Sequence, residues 1–293
     1  MRDWLERNGE IAQLARRQLF FVGGAPRSGT TWLQQLLDAH PDVCSKGEGL
    51  FLQQLAVPLE KIMAQRAEVI AGKNKQLFTH TGGYPLPSKG DVEFLMGTAI
   101  LTALHQQSQG KPYKAIGEKT PENVFFYPRL KSLFPKAKFI SIARDPRDVL
   151  TSAWHFFKKP TPGENEITAK LEFIRGALPS MNDGARKMVE FHKANPNDHI
   201  FVTYDGLRTQ PAPFLAQLFR FIGVSDKADI VADCIKKTDF AVQTGGRPPG
   251  VEQNGVFHRK GEVGSWKATM NEEMSQVILK DLAWMFPLFG WRQ

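Results

Sequence analysis

The stretch Phe20-Phe21-Val22-Gly23-Gly24-Ala25-Pro26-Arg27-Ser28-Gly29-Thr30-Thr31-Trp32-Leu33 holds the densest chemistry in this chain. An apolar run from Leu19 to Val22 ends in a glycine turn and opens into a helical pattern. In that layout, backbone N–H groups at a helix N-terminus cradle an anion. A Walker-type loop would place Lys and then Ser or Thr directly after Gly29; here Thr30 and Thr31 follow it. The lysine that reaches the β- and γ-phosphates of a nucleoside triphosphate is missing, and a cation stands earlier, at Arg27. The loop is expected to hold an anion, but not ATP in the usual way. A second cationic group, Arg144-Asp145-Pro146-Arg147-Asp148, follows another apolar run, and a third, Arg259-Lys260-Gly261, stands in a glycine-rich segment. Both suit charge-assisted bonds to phosphate oxygens. Each also has a plain reading: Arg144 could pair with Asp145 or Asp148, and a basic glycine loop could be solvated surface. Arg147 reads as a surface residue or a partner for Asp148.

These groups need elements to position them. The spacing predicts strands at 19–23, 43–48, 113–118, 138–143 and 199–203. It predicts helices at 29–39, 50–71, 91–108, 122–134, from 147, across 167–194, at 211–222 and 227–237, and from about 271. Such alternation argues for an α/β fold: one domain over 1–293 with a central, mainly parallel sheet flanked by helices. Ligands of such sheets sit at the carboxyl ends of the strands, which puts the segments after Val22, Ala143 and Thr203 on one rim. Residues 1–18 predict an N-terminal helix, and 243–264 a flexible loop able to cover a ligand.

Composition narrows the partners. The 293 residues are 42% hydrophobic and 23% charged, as in ordinary globular proteins, and the net charge of +8 favours anionic partners. No Lys/Arg tract with interleaved aromatics marks a nucleic-acid surface. Cys44 and Cys234 lie far apart without metal spacing, so a disulfide framework is not expected and the reducing cytoplasm is. No segment reaches the roughly twenty apolar residues of a membrane span. No dimerisation motif stands out.

Three motifs then converge in order: Pro26 to Leu33, Ile142 to Val149 continuing to Ser152, and Arg259 to Lys267. Together they resemble the sulfotransferase family, whose donor is 3′-phosphoadenosine 5′-phosphosulfate (PAPS). The resemblance runs from about residue 19 to 270 and is closest in pattern to soluble bacterial members. It implies a P-loop-like fold, PAPS as donor, adenosine 3′,5′-bisphosphate (PAP) as product, and no required metal. It implies that Arg27, Ser28, Gly29, Thr30 and Thr31 surround the 5′-phosphate, with Arg27 near the oxygen that bridges phosphate and sulfate. It places Arg144, Ser152, Arg259, Lys260 and Gly261 on the 3′-phosphate, and Trp32, Tyr204, Thr238 and Phe240 around the adenine. Trp32, Tyr204, Thr238 and Phe240 read equally well as packing. Trp266 and Lys267 read as loop anchors.

Sulfuryl transfer, like phosphoryl transfer, is an in-line displacement that needs cations at the leaving oxygen and a base at the acceptor. Lys119 matches a family lysine at the end of a central strand, suited to stabilise the bridging oxygen with Arg27 and Ser28. Cytosolic small-molecule members carry a histidine two residues later, where this chain has Pro121. Members acting on protein tyrosine or on glycosaminoglycans use a glutamate soon after the first helix. Glu48, between Gly47 and Gly49, fits that pattern; Glu122 is the second candidate, and Glu118 could simply pair with Lys119. The expected acceptor is a small-molecule, glycan or peptide hydroxyl or an amine. Phe51, Phe78, Tyr84, Phe125 and Trp154 could wall an aromatic or apolar acceptor, or be ordinary core. Two competing readings are a P-loop kinase or NTPase, which the missing Walker lysine disfavours, and a nucleotide-binding protein that has lost catalysis.

Overall fold

The strands of this chain are apolar on both faces, as a parallel sheet covered by helices on both sides demands. The computed structural model describes residues 3–158, 163–248, 250–251 and 261–292. The chain enters through α1 (Trp4–Leu14), β1 (Gln18–Gly24), α2 (Thr30–Asp38) and β2 (Val43–Ser45). A π-helical turn, Phe51–Ala56, leads into α3 (Val57–Leu77), followed by α4 (Lys89–Ser108) and β3 (Ala115–Lys119). A 3₁₀ turn, Pro121–Phe125, precedes α5 (Tyr127–Leu133), β4 (Lys138–Ala143), α6 (Pro146–Phe157), α7 (Glu166–Ala194) and β5 (His199–Thr203). The chain ends with α8 (Tyr204–Thr209), α9 (Pro211–Phe221), α10 (Ala228–Lys237), α11 (Phe240–Gln243), a 3₁₀ turn at Ser265–Ala268, α12 (Glu272–Leu282) and α13 (Met285–Phe289).

Among the described residues the strands form one parallel sheet in the order β2-β3-β1-β4-β5. The chain leaves β1 toward β2 and β3, then crosses to β4 and β5. The switch point therefore lies at the carboxyl end of β1, where a crevice is expected. Register places Val22 opposite Lys119 on one side and opposite Ile140 on the other, so the ends of β1, β3 and β4 share one rim. Side chains alternate across the sheet. Phe20 and Val22 pack with Leu33, Leu36 and Leu37 of α2 and Phe219 of α9. Phe21 faces the other way, with Tyr127, Phe139, Phe191 and Ile278.

Strands 138–143 and 199–203 lie where the pattern put them. The strand expected at 43–48 stops at Ser45, leaving Gly47 in the left-handed region at φ 58° and Glu48 on a loop. The helices expected across 167–194 are one continuous helix that carries Pro179 inside it, capped at its start by the Asn165 side chain. The helix of residues 1–18 covers Trp4–Leu14. Of the loop expected at 243–264, residues 249 and 252–260 lie outside the described residues, and with them Arg259 and Lys260. Both cysteines are buried free thiols. Among the described residues no helix is long and apolar enough to cross a membrane.

Candidate active site

At the carboxyl rim a cleft of about 370 Å³ opens between the β1–α2 loop, the end of β4 and the turn after β3. Its lining includes Arg27, Gly29, Thr30, Thr31, Trp32, Glu48, Arg144, Ser152, Tyr204, Phe240 and Gly261. The loop after β1 is built for close approach. A Cβ at Gly24 would stand 2.6 Å from the Ile142 carbonyl oxygen, and one at Gly29 would stand 2.6 Å from the Tyr204 ring. Gly29 has φ 102°, and Arg27 sits in the left-handed region at φ 71°. A non-glycine residue held there carries strain of about 1–2 kcal/mol, a feature concentrated at functional sites. No side chain caps α2 at Gly29, so the N–H groups of its first turn face the cleft as an anion-binding end.

The cationic side chains are locked by neighbours. Arg27 donates from Nε to Ser152 Oγ at 3.3 Å and lies 4.3 Å over the Phe156 ring. Arg144, at the end of β4, donates to the Arg27 carbonyl at 3.3 Å and the Glu262 carbonyl at 2.8 Å. Its guanidinium stacks 4.2 Å over Tyr204, and its Nε is buried without a hydrogen-bond partner. Tyr204 meets Trp32 edge-on at 5.6 Å, and Arg208 lies 5.4 Å over the Trp32 ring. Arg144, Tyr204, Trp32 and Arg208 thus contact one another in series along the cleft lining. Phe240 completes that end, with Gly261 packed against it so closely that a Cβ would come within 2.6 Å of the ring.

At the foot of the cleft, β3 ends in Lys119, whose side chain is only 2% exposed. Its Nζ donates to Thr31 Oγ1 at 3.0 Å and forms a short ion pair with the Glu48 carboxylate, itself 45% exposed. Glu118, one residue earlier, points to the opposite side of the strand. It does not pair with Lys119. It accepts from the Gly49 N–H at 2.7 Å, from Asn123 Nδ2 at 2.8 Å and from the Thr120 hydroxyl. Asn123 in turn donates to the Val22 carbonyl at 3.1 Å. Burial pushes the Glu118 carboxyl above the usual range, partly opposed by these hydrogen bonds. Glu118 ties the Glu48 loop to the central strand.

Some expected site residues lie elsewhere. Ser28 is buried and lines a smaller cavity behind the loop with Val124 and Met181; its Oγ has no hydrogen-bond partner, and its N–H bonds to the Ala25 carbonyl. Thr238 spends its hydroxyl on the Cys234 carbonyl at 2.8 Å, as a brace at the end of α10. Arg147 is neither on the surface nor paired with Asp148. It is buried and bonds Asp145 with two nitrogens, at 3.0 and 2.8 Å, because Asp145 caps α6 directly beside it. Its guanidinium lies 3.9 Å over Trp266. Asp148, fully buried, accepts from Gly264 N–H at 2.7 Å, Trp266 N–H at 3.0 Å and the Ser265 hydroxyl at 3.1 Å. Trp266 is thus a loop anchor. Of the aromatics expected on the acceptor wall, Phe51 is core and Trp154 packs on Phe173. Phe78 and Tyr84 are exposed and lie outside the cleft lining, as does Phe125. Phe156 and Phe157 line the cleft instead, along with Pro121 and Glu122. Arg208, Gln243 and Glu262 also line the cleft without a local sequence signal.

Residues 20–228 match the model described as Sulfotransferase family. A putative protein-tyrosine sulfotransferase of Caenorhabditis briggsae is 28% identical over 207 residues, which cover 70% of this chain and 65% of that protein. Cytosolic sulfotransferase 12 of Arabidopsis thaliana is 28% identical over 158 residues, 48% of this chain and 47% of its own length. The matched stretches therefore span less than two thirds of these relatives. A mouse sulfotransferase complexed with PAP superposes with TM-score 0.57 at 16% identity, covering 95% of this chain and 88% of that one. A Mycobacterium avium sulfotransferase superposes with TM-score 0.58 at 13% identity, covering 99% and 81%. At such identities the superpositions establish a common fold.

Proposed function

Since this chain belongs to the sulfotransferase family, we propose that it moves a sulfuryl group from PAPS to a hydroxyl or amine acceptor by in-line displacement. One observation carries the reading: the Glu48–Lys119 ion pair meets Thr31 at the open N-terminus of α2, so a base candidate and a buried cation share one anion-binding end. The donor fits the residues present. The unpartnered Nε of Arg144 and the uncapped first turn of α2 are donors in want of an anion. Arg27 and the first turn of α2 would hold the 5′-phosphate; Arg144, Ser152 and Gly261, with Arg259 and Lys260, the 3′-phosphate; Trp32, Tyr204 and Phe240 the adenine. Ser28 and Thr238 would support the loop and the adenine wall from behind. PAPS brings a phosphate leaving group already attached to the sulfuryl.

Glu48 takes the proton from the acceptor as the acceptor oxygen or nitrogen bonds to sulfur and the sulfur–phosphate oxygen bond breaks. Lys119 and Arg27 balance the charge that grows on the phosphate oxygen. Glu118, through Gly49, keeps Glu48 at the foot of the cleft. The two free buried thiols suit a reducing compartment, and we place the reaction in the cytoplasm on that ground. The test is PAP release from PAPS with a mixed panel of hydroxyl and amine acceptors, run beside ATP with magnesium. Acceptor-dependent PAP release that Glu48→Gln abolishes supports the reading. ATP hydrolysis with no PAP release overturns it in favour of a P-loop NTPase.

A further inference from the structure

The acceptor end of the cleft has a charge that the proposed chemistry leaves unused. Glu122 stands in the 3₁₀ turn directly after β3 and lines the cleft beside Pro121 and Glu48. Glu48 is paired with Lys119, and Glu118 is buried among three donors. Glu122 has neither a hydrogen bond nor an ion pair among the described residues. Opposite in the chain but in the same lining, α6 ends in Phe156 and Phe157, whose rings meet edge-to-face at 5.0 Å. Arg27 covers the Phe156 ring, and Phe157 remains 59% exposed. Large aromatic side chains left open in a cleft wall mark surface that a ligand covers.

An unpaired carboxylate and an open aromatic ring in the lining of one cleft are complementary to a cation attached to a flat apolar body. The ammonium is drawn to the carboxylate and to the ring face, and the apolar body covers the phenylalanines. The same carboxylate repels an anionic acceptor, so selection acts in both directions. Resting on the sulfotransferase reading above, we infer that the acceptor is an aromatic alcohol carrying a protonated amine, and that Glu122 is the residue that reads the amine.

Three para-substituted phenols of similar size serve as probes: tyramine, para-ethylphenol and para-hydroxyphenylacetate. With PAPS as donor, kcat/KM is expected to fall in that order, by up to about fivefold per step, the scale of one half-exposed charge pair. In Glu122→Gln the two charged phenols converge, and the change lies in KM. In Glu48→Gln all three lose kcat alike. PAP binding by calorimetry is measured on the same proteins. If PAP does not bind, the sulfotransferase reading fails and this inference with it. If PAP binds, the inference alone is overturned by equal kcat/KM for the three phenols, by a ranking that survives Glu122→Gln, or by no turnover of any of them.

Discussion

At the donor end of the cleft the side chains hold one another: Arg144 is gripped by two backbone carbonyls and by Tyr204, Tyr204 by Trp32, and Arg27 by Ser152 and Phe156. At the acceptor end Glu48 rides on a loop between two glycines, Glu122 has no hydrogen-bond or ion-pair partner among the described residues, and Phe157 is open. The first region comes from strand ends and a helix N-terminus, elements already fixed by the sheet. The second comes from turns and a helix end, which the sheet does not constrain. A preorganised donor end suits a ligand of fixed charge and shape. A looser acceptor end suits selection by a few exposed groups, and the foot ties the two regions together: Lys119, Thr31 and Glu48, held through Gly49 by Glu118.

This contrast can be broken by substitution. Glu48→Gln should lower kcat by about 10²–10³, the scale of a lost general base, with PAP affinity hardly moved; equal losses in both would erase the division between the two ends. Arg144→Ala should weaken PAP by about ten- to a hundredfold, the scale of one charge-assisted contact, and leave the acceptor KM in place. Calorimetry and initial rates on the same protein check both. The frame under the donor end can be probed by acid. His199 contacts Ser141 at 2.8 Å and His192 at 3.2 Å, and burial first, then His192, lowers its pKa from 6.5 to about 3. Above pH 6.5 the group is neutral in both states, so its contribution is flat. Between there and about pH 3 only the unfolded chain binds the proton, and stability should fall by up to about 1.4 kcal/mol per pH unit. Urea unfolding of the wild type and of His199→Gln, across that window, isolates the slope; identical slopes would remove His199 as its source. Glu118→Gln should cost about fivefold in kcat, on the scale of a weakened buried hydrogen bond, while PAP binding persists; a matching loss of PAP affinity would assign Glu118 to the donor end.

The β1–β4 rim of the cleft was largely legible in the sequence because its residues sit at strand ends, where apolar runs stop and glycines or charges begin. The strands at 138–143 and 199–203, the loop at 23–29 and the rim that joins them follow from that pattern. Glu48 and Lys119 were singled out through resemblance to the family, and the fold brings them together as an ion pair. The acceptor wall was not. Phe156 and Phe157 continue the helical pattern of Trp154, and nothing local says which of these rings faces the cleft. Arg147 and Asp148 look like a surface pair because they are adjacent and charged. Their burial depends on Asp145 capping α6 and on Gly264, Ser265 and Trp266 arriving from more than a hundred residues away. Thr238 carries a hydroxyl near the right motif, but helix α10 claims it first, and Ser28 lies behind the loop in the lining of a smaller cavity.

The measurement closest to the central claim is calorimetric titration with PAP, 5′-AMP and ATP in the absence of magnesium. A donor end organised around Arg144 predicts tight PAP binding, much weaker 5′-AMP binding, and loss of that difference in Arg144→Ala. Equal binding of PAP and 5′-AMP, or no binding of PAP, would contradict it.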